Sequence, residues 1–353
     1  MKNLRRRNRV FRSSKYHFFT MFAFFILLIF VCSLFFSGLF TLIPGFDSAV
    51  IIRTQVQAET KTVEFADENL KEAVLENLDK EEGPITYKMA ENLEKLEAVE
   101  KEIADLRGIE AFKKLETLNL YNNEIDDLSP ISELDNLQEL IFEHNYVEDI
   151  TPVEAIKELR VFNFRYNKIS DLTPLSELID LEVIRLWGNE VVEVNALENL
   201  KNLEILSLSN NKVSDISGLQ GAKALKEVHL SRNNIQDISP LGRLENLEIL
   251  YLLENDIDDI SALAELDNLR ELNFAANRVE DIGVLEDLRS LEIVYFRENL
   301  VEDIAPLVKN ENITELASFR FNRIDLEDEK IKEQIAVLKD RVETLRYRPQ
   351  AQN

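Results

Sequence analysis

From Leu93 to Leu326 the apolar and polar positions of the chain recur every 22 residues. Leu115, Leu137, Leu159, Leu181, Leu203, Leu225, Leu247, Leu269 and Leu291 open nine consecutive units. In the unit from Leu225 the apolar places are Val228, Leu230, Ile235, Ile238, Leu241 and Leu244, with Asn233 and Pro240 set between them. A fixed period of this length marks a stacked array, in which each unit buries its apolar side against its neighbours.

The offsets within a unit each predict an element. Val228-His229-Leu230 alternates apolar and polar, which predicts a short strand with one buried face. Equivalent strands should stack side by side into a parallel sheet. The ninth position is Asn in all nine units: Asn123, Asn145, Asn167, Asn189, Asn211, Asn233, Asn255, Asn277 and Asn299. A polar amide in an apolar spine is costly unless it is bonded. Asn carries both donors and an acceptor, so a column of them can satisfy backbone groups in adjacent turns. Pro130, Pro152, Pro174, Pro240 and Pro306 share the sixteenth position. Proline there fixes a turn and lets a short helical segment start on the outer side. The expected fold is an α/β repeat solenoid with a parallel concave sheet, short helical or 3-10 convex segments, and helical caps at both ends.

The run L-x-x-L-x-L-x-x-N-x-I-x-D-I-x-P-L resembles the 22-residue leucine-rich repeat of bacterial internalins, over residues 93–326. Ahead of it, Phe65 to Leu70 followed by Ala73-Val74 resembles the cap that precedes such repeats in Gram-positive surface proteins. The resemblance implies a protein displayed on a bacterial cell surface.

Both ends of the array depart from its pattern. Residues 62–92 form the expected N-terminal cap, with Leu70, Val74 and Leu78 at helical spacing and Asp67 as N-cap. In the first unit Lys101 takes the Asn place. At the far end Asn322 falls one place late, and the array is expected to stop there. Ile331, Ile335, Leu338, Val342 and Leu345 then predict an amphipathic capping helix over residues 327–346. Residues 347–353 are expected to be an unstructured tail.

The N-terminal region has a different character. Residues 1–17 carry Lys2, Arg5, Arg6, Arg7, Arg9, Arg12 and Lys15 and no acid, and residues 18–43 carry no charged side chain. A stretch of that length can span a bilayer. The basic flank predicts a cytoplasmic N-terminus, with everything after Pro44 outside. Residues 18–43 are therefore expected to be a single-pass signal anchor in the cell membrane, and residues 44–61 a linker. The alternative is a cleaved signal, cut near Ala58, which would release a secreted protein.

Charge and chemistry narrow the function. The chain carries 41 basic and 66 acidic residues, a net charge of −25, and all the acids follow the uncharged stretch. Such a body repels nucleic acid, so no nucleic-acid partner is expected. The single Cys allows no internal disulfide. His17, His144 and His229 are widely separated, and no nucleophile motif or phosphate loop occurs. Neither an enzyme nor a cofactor is expected. The thirteenth position holds Asp127, Asp149, Asp171, Glu193, Asp215, Asp237, Asp259, Asp281 and Asp303. This column suits turn formation better than calcium binding, because Asp bonds readily to nearby backbone.

The third, fifth and seventh positions of each unit should face the concave side, because the fourth and sixth are buried. Tyr121, Arg165, Arg185, Trp187, His229, Tyr251, Leu253, Tyr295 and Arg297 stand at such positions, and Arg232 borders them. Tyr, Trp and Arg are the types enriched among binding hot spots. The expected function is capture of a protein, peptide or glycan partner on this face, with Trp187 and Tyr251 as anchors. The alternative is a structural envelope spacer without a specific ligand.

Overall fold

The structure is a computed structural model and describes residues 61–351. No helix among these residues is long and apolar enough to cross a membrane. The expected span at residues 18–43 lies outside the described residues.

Twelve three-residue strands form one parallel sheet in chain order, from β1 (Lys95–Glu97) to β12 (Thr344–Arg346). The register follows the repeat, so Val228 lies between Leu206 and Leu250. The spacing lengthens at the end of the array, where Val294 pairs with Ala317 and Ala317 with Leu345. The extra residue, Thr314, is taken up ahead of β11 (Leu316–Ser318). Glu315 and Leu316 donate to the Glu292 carbonyl at 3.2 and 3.4 Å, as Glu292 and Ile293 donate to Arg270 at 2.9 and 3.0 Å. The array therefore does not stop at Asn322. That residue is fully buried and continues the Asn column, donating to the Phe296 and Phe319 carbonyls at 2.9 and 3.0 Å.

The core is a continuous apolar spine. Fourth- and sixth-position side chains such as Val228 and Leu230 are fully buried. Phenylalanines stack between turns, with Phe142 over Phe164 at 5.0 Å and Phe274 over Phe296 at 5.4 Å. Burial of each such ring stabilises the fold by about 1.5–3 kcal/mol. On the opposite side the five repeat prolines open short helical turns, as in Ser239–Arg243. Ahead of those turns, Asp149, Asp171 and Asp237 accept the backbone N–H two residues on, each at 2.8 Å. These carboxylates are thereby engaged in the turns themselves.

Both ends are tied to the array. Helix α1 (Glu68–Asn77) is capped by Asp67, which accepts from Asn69 at 2.8 Å and, with its other oxygen, from Ala104 of the first repeat at 2.8 Å. Lys101 reaches Glu76 of α1 at 2.7 Å. Two short helices follow, α2 (Tyr87–Ala90) and α3 (Ala305–Lys309). The C-terminal helix α4 (Glu329–Arg341) is shorter than the periodicity suggests. Val342 is extended (φ −88°, ψ 121°), and Leu345 lies in β12 against Ala317 rather than on the helix. The 4-3 spacing of apolar residues runs across the helix end, because helix and strand bury their side chains in the same core. The residues after β12 are also docked. Phe321 donates to the Pro349 carbonyl at 2.7 Å, and Ala351 to the Asn322 carbonyl at 2.8 Å.

Candidate functional site

The strand alternation sends third-, fifth- and seventh-position side chains to the open face of the sheet. In β7 (Glu227–His229), Glu227 and His229 are half-buried, while Val228 between them is fully buried. The face is not uniform. An open depression of about 460 Å³ lies across β5 (Val183–Arg185), β6 (Ile205–Ser207) and β7. Arg185 and Trp187 form one wall, and His229 and Leu253 the other. Ser207, Ser209 and Ser231 make the floor. Three small side chains between bulky ones create the hollow.

The depression brings together Arg165, Arg185, Trp187, His229, Arg232 and Leu253. Tyr251 stands behind His229, ring to ring at 4.7 Å, and its hydroxyl donates to Glu271 at 2.5 Å. Burial, followed by that bond and the Glu271 charge, holds the Tyr251 hydroxyl well above the ordinary tyrosine range. Tyr251 is therefore a protonated buttress rather than a free anchor. Tyr121 lies outside the depression, edge-on to His144 at 5.7 Å. Tyr295 and Arg297 also lie outside it, on and just after β10 (Ile293–Tyr295), and Arg297 pairs with Glu298.

Polar atoms in and beside the depression are unevenly satisfied. His229 contacts Glu227 at 2.6 Å, and Arg232 pairs with Glu254 at 3.2 Å. Arg165 approaches Glu143 at 3.7 Å, but its Nε is buried without a partner, as is Oδ1 of neighbouring Asn163. The Arg185 guanidinium forms no ion pair among the described residues. Trp187 is 38 % exposed and tilts against Tyr166 at 5.5 Å. The Tyr166 ring in turn stacks on His144 at 4.2 Å. An aromatic file thus runs from Tyr121 through His144 and Tyr166 to the rim of the depression at Trp187.

The serine floor escapes a search for large hot-spot residues. Its sequence signal is the pair Ser207 and Ser209 at two face positions of one repeat, flanked by Arg185 and Trp187 on one side and His229 on the other. His144 and Tyr166 were missed for another reason. They occupy the eighth position, where the backbone is left-handed (φ 58° and 53°), outside the third, fifth and seventh places that strand alternation assigns to the face.

The leucine-rich repeat family model matches residues 91–133, 179–221 and 223–265. No curated protein sequence matches the chain. Among solved structures, an internalin (inlF) from Listeria monocytogenes is 28 % identical, with a TM-score of 0.70, covering 82 % of this chain and 91 % of its own. Internalin C2 from the same organism is 31 % identical, with a TM-score of 0.56, covering 58 % of this chain and 92 % of its own. A plant peptide hormone receptor, RGFR1, solved in complex with RGF2, shares the fold at 19 % identity and a TM-score of 0.53, over 75 % of this chain and 53 % of its own. The repeat pattern, the Asn column, the capped parallel sheet and the match along nearly the whole length of internalin C2 place this chain in the internalin-type family of bacterial leucine-rich repeat proteins.

Proposed function

We propose that the repeat domain is a recognition module that holds a protein or peptide segment in the depression between Trp187 and Leu253. The observation that carries this reading is the pairing of a half-exposed Trp187 with an Arg185 guanidinium that forms no ion pair among the described residues, above a serine floor. An indole and a guanidinium at the rim of a pre-formed hollow are typical anchors of a protein interface. The fold supports the reading too, since a plant peptide hormone receptor of the same architecture was solved in complex with RGF2. Binding, not catalysis, is the role. Photo-crosslinking from Ser209 in intact cells should trap the partner. Trp187→Ala should weaken its binding by about 2 kcal/mol or more, with an unchanged melt. Equal crosslinking yield from Trp187→Ala, or a trapped partner that is not a polypeptide, would move the site elsewhere.

The same module is tethered, in this proposal, by residues 18–43 with the N-terminus in the cytoplasm and the repeats outside. The seven-residue basic flank ahead of an uncharged stretch supports it. Protease added to intact cells should remove the repeats. A soluble form beginning near Glu59 would instead show cleavage after Ala58.

A further inference from the structure

Electrostatically, the sheet face is polarised along its length. From β1 to β9 (Glu271–Asn273) its face positions mix carboxylates such as Glu139, Glu143, Glu227 and Glu271 with basic residues. The last three strands break this balance. Their fifth and seventh positions are Tyr295 and Arg297, Ser318 and Arg320, then Arg346 and Arg348, with no carboxylate among them. Register sets Tyr295, Ser318 and Arg346 side by side. The Phe321–Pro349 backbone bond carries the pairing on, and Tyr347 packs inward against Phe319 at 6.2 Å, which leaves Arg348 on the face.

Three of these arginines form no ion pair among the described residues, as Arg185 in the depression forms none. Many basic side chains elsewhere pair across adjacent repeats, as Arg160 with Glu182 at 2.9 Å, Lys226 with Glu204 at 2.8 Å and Arg270 with Glu292 at 2.7 Å. In the end patch only Arg297 pairs among the described residues, with Glu298. Arg320 has a buried Nε without a hydrogen-bond partner, and its guanidinium lies 6.0 Å from the Phe321 ring. Arg348 lies over Tyr347 at 5.5 Å. Arg346 forms no ion pair among the described residues. With 66 acids against 41 basic residues, carboxylates are the commoner partner, yet these three guanidiniums have none among the described residues.

We propose that this end of the sheet is a second binding patch, separate from the depression, for an extended polypeptide segment that carries clustered Asp or Glu side chains beside apolar ones. Guanidinium forks match carboxylates in a geometry that an ammonium cannot reproduce. Ile293 and Leu316, at the third positions, and Phe321, 40 % exposed, add apolar surface next to the arginines. A polyphosphate or an acidic glycan would use only the arginines, so the apolar neighbours select a polypeptide. The segment lies across the face rather than extending the sheet. β12 is a three-residue edge closely followed by Pro349, features that oppose further strand pairing.

The test uses the full-length chain in detergent micelles and a fluorescein-labelled peptide alternating glutamate with leucine, followed by anisotropy. Arg320→Gln/Arg346→Gln should lose about tenfold or more in affinity, Arg346→Gln alone should lose part of that, and Arg185→Gln in the depression should leave it unchanged. Unlabelled polyphosphate of equal charge should compete poorly. The proposal fails if the parent protein does not bind the peptide, if the double variant with a normal melt binds it as the parent does, or if polyphosphate competes as well as unlabelled peptide.

Discussion

Asn189 donates from Nδ2 to the carbonyl oxygen of Phe164, 25 residues earlier, at 2.8 Å. The same amide donates to Leu186 at 3.0 Å, and its Oδ1 accepts the Ile169 N–H at 2.9 Å. One side chain thereby closes its own turn and fastens the turn before it. The arrangement recurs from Asn123, bonded to Ala98, to Asn322, bonded to Phe296. Replacement by Ala strands buried backbone groups, a loss of about 1–3 kcal/mol. Asn233→Ala in the middle of the array and Asn322→Ala near its end should cost similar amounts, because β12 pairs beyond Asn322 and seals the end. Denaturant melts of both variants measure this. A negligible effect at Asn322 would show that the last turn frays independently.

The repeat, its strands and the Asn column were legible because each depends on local spacing, which a fixed period prints plainly in the sequence. The C-terminal cap was not. Val342 and Leu345 continue the helical spacing of Ile331, Ile335 and Leu338, yet the backbone turns extended at Val342 because β11 offers Leu345 a pairing partner. That partner is distant in sequence and invisible to periodicity. The candidate site was half legible. Face positions followed from strand alternation, whereas the hollow depends on Ser207, Ser209 and Ser231, whose importance lies in what they leave empty.

The seal at the C-terminal end also depends on Arg341. From the last residue of α4 its guanidinium donates to the carbonyls of Val308 at 3.0 Å and Ile313 at 3.3 Å, and also to Leu307. These are carbonyls at the end of α3 and in the following turn, and a helix end needs such partners. Hydrogen bonds to a charged group contribute about 1.5–3 kcal/mol. Arg341→Ala should lower the melting temperature clearly, while Arg323→Ala, whose only ion pair among the described residues is a 3.4 Å surface contact with Glu280, should leave it nearly unchanged. Thermal melts followed by circular dichroism distinguish the two, and equal shifts would remove the capping role.

Acid should weaken the turns. The Thr151 and Thr173 hydroxyls and then their N–H groups hold Asp149 and Asp171 below the ordinary aspartate value of 3.8. Asp215 and Asp259 are lowered chiefly by the N–H groups of Ser217 and Ser261. A carboxyl more acidic in the folded than in the unfolded chain stabilises the fold above the unfolded value. That contribution is lost as pH falls through the folded value. Stability should therefore decline below about pH 4 on account of these groups. Asp149→Asn/Asp171→Asn keeps an acceptor oxygen but cannot titrate. Its melting temperature should fall less steeply with pH than the parent's in that range, and parallel curves would sink the assignment.

The eighth position of the repeat is left-handed along the array, from Asn122 (φ 54°) to Phe321 (φ 59°), with Gly188 (φ 74°) in the same place. Asn and Gly tolerate this conformation; Ala276 (φ 53°) does not do so freely. Its backbone is held there because its N–H donates to the Arg297 carbonyl at 2.7 Å. A left-handed L-residue costs about 1–2 kcal/mol. Glycine removes that strain but adds about 0.4–1 kcal/mol of unfolded-state freedom. Ala276→Gly should therefore stabilise the protein by about 0.5–1 kcal/mol, the difference between those terms. The exposed Ala264, in the short helical turn Ser261–Glu265, is the control, where Gly should destabilise by about 0.5–1 kcal/mol. Opposite signs at the two alanines in denaturant melts are the expected outcome. A loss of stability at both would mean that Ala276 is relaxed where it stands and that the repeat does not strain its eighth residue.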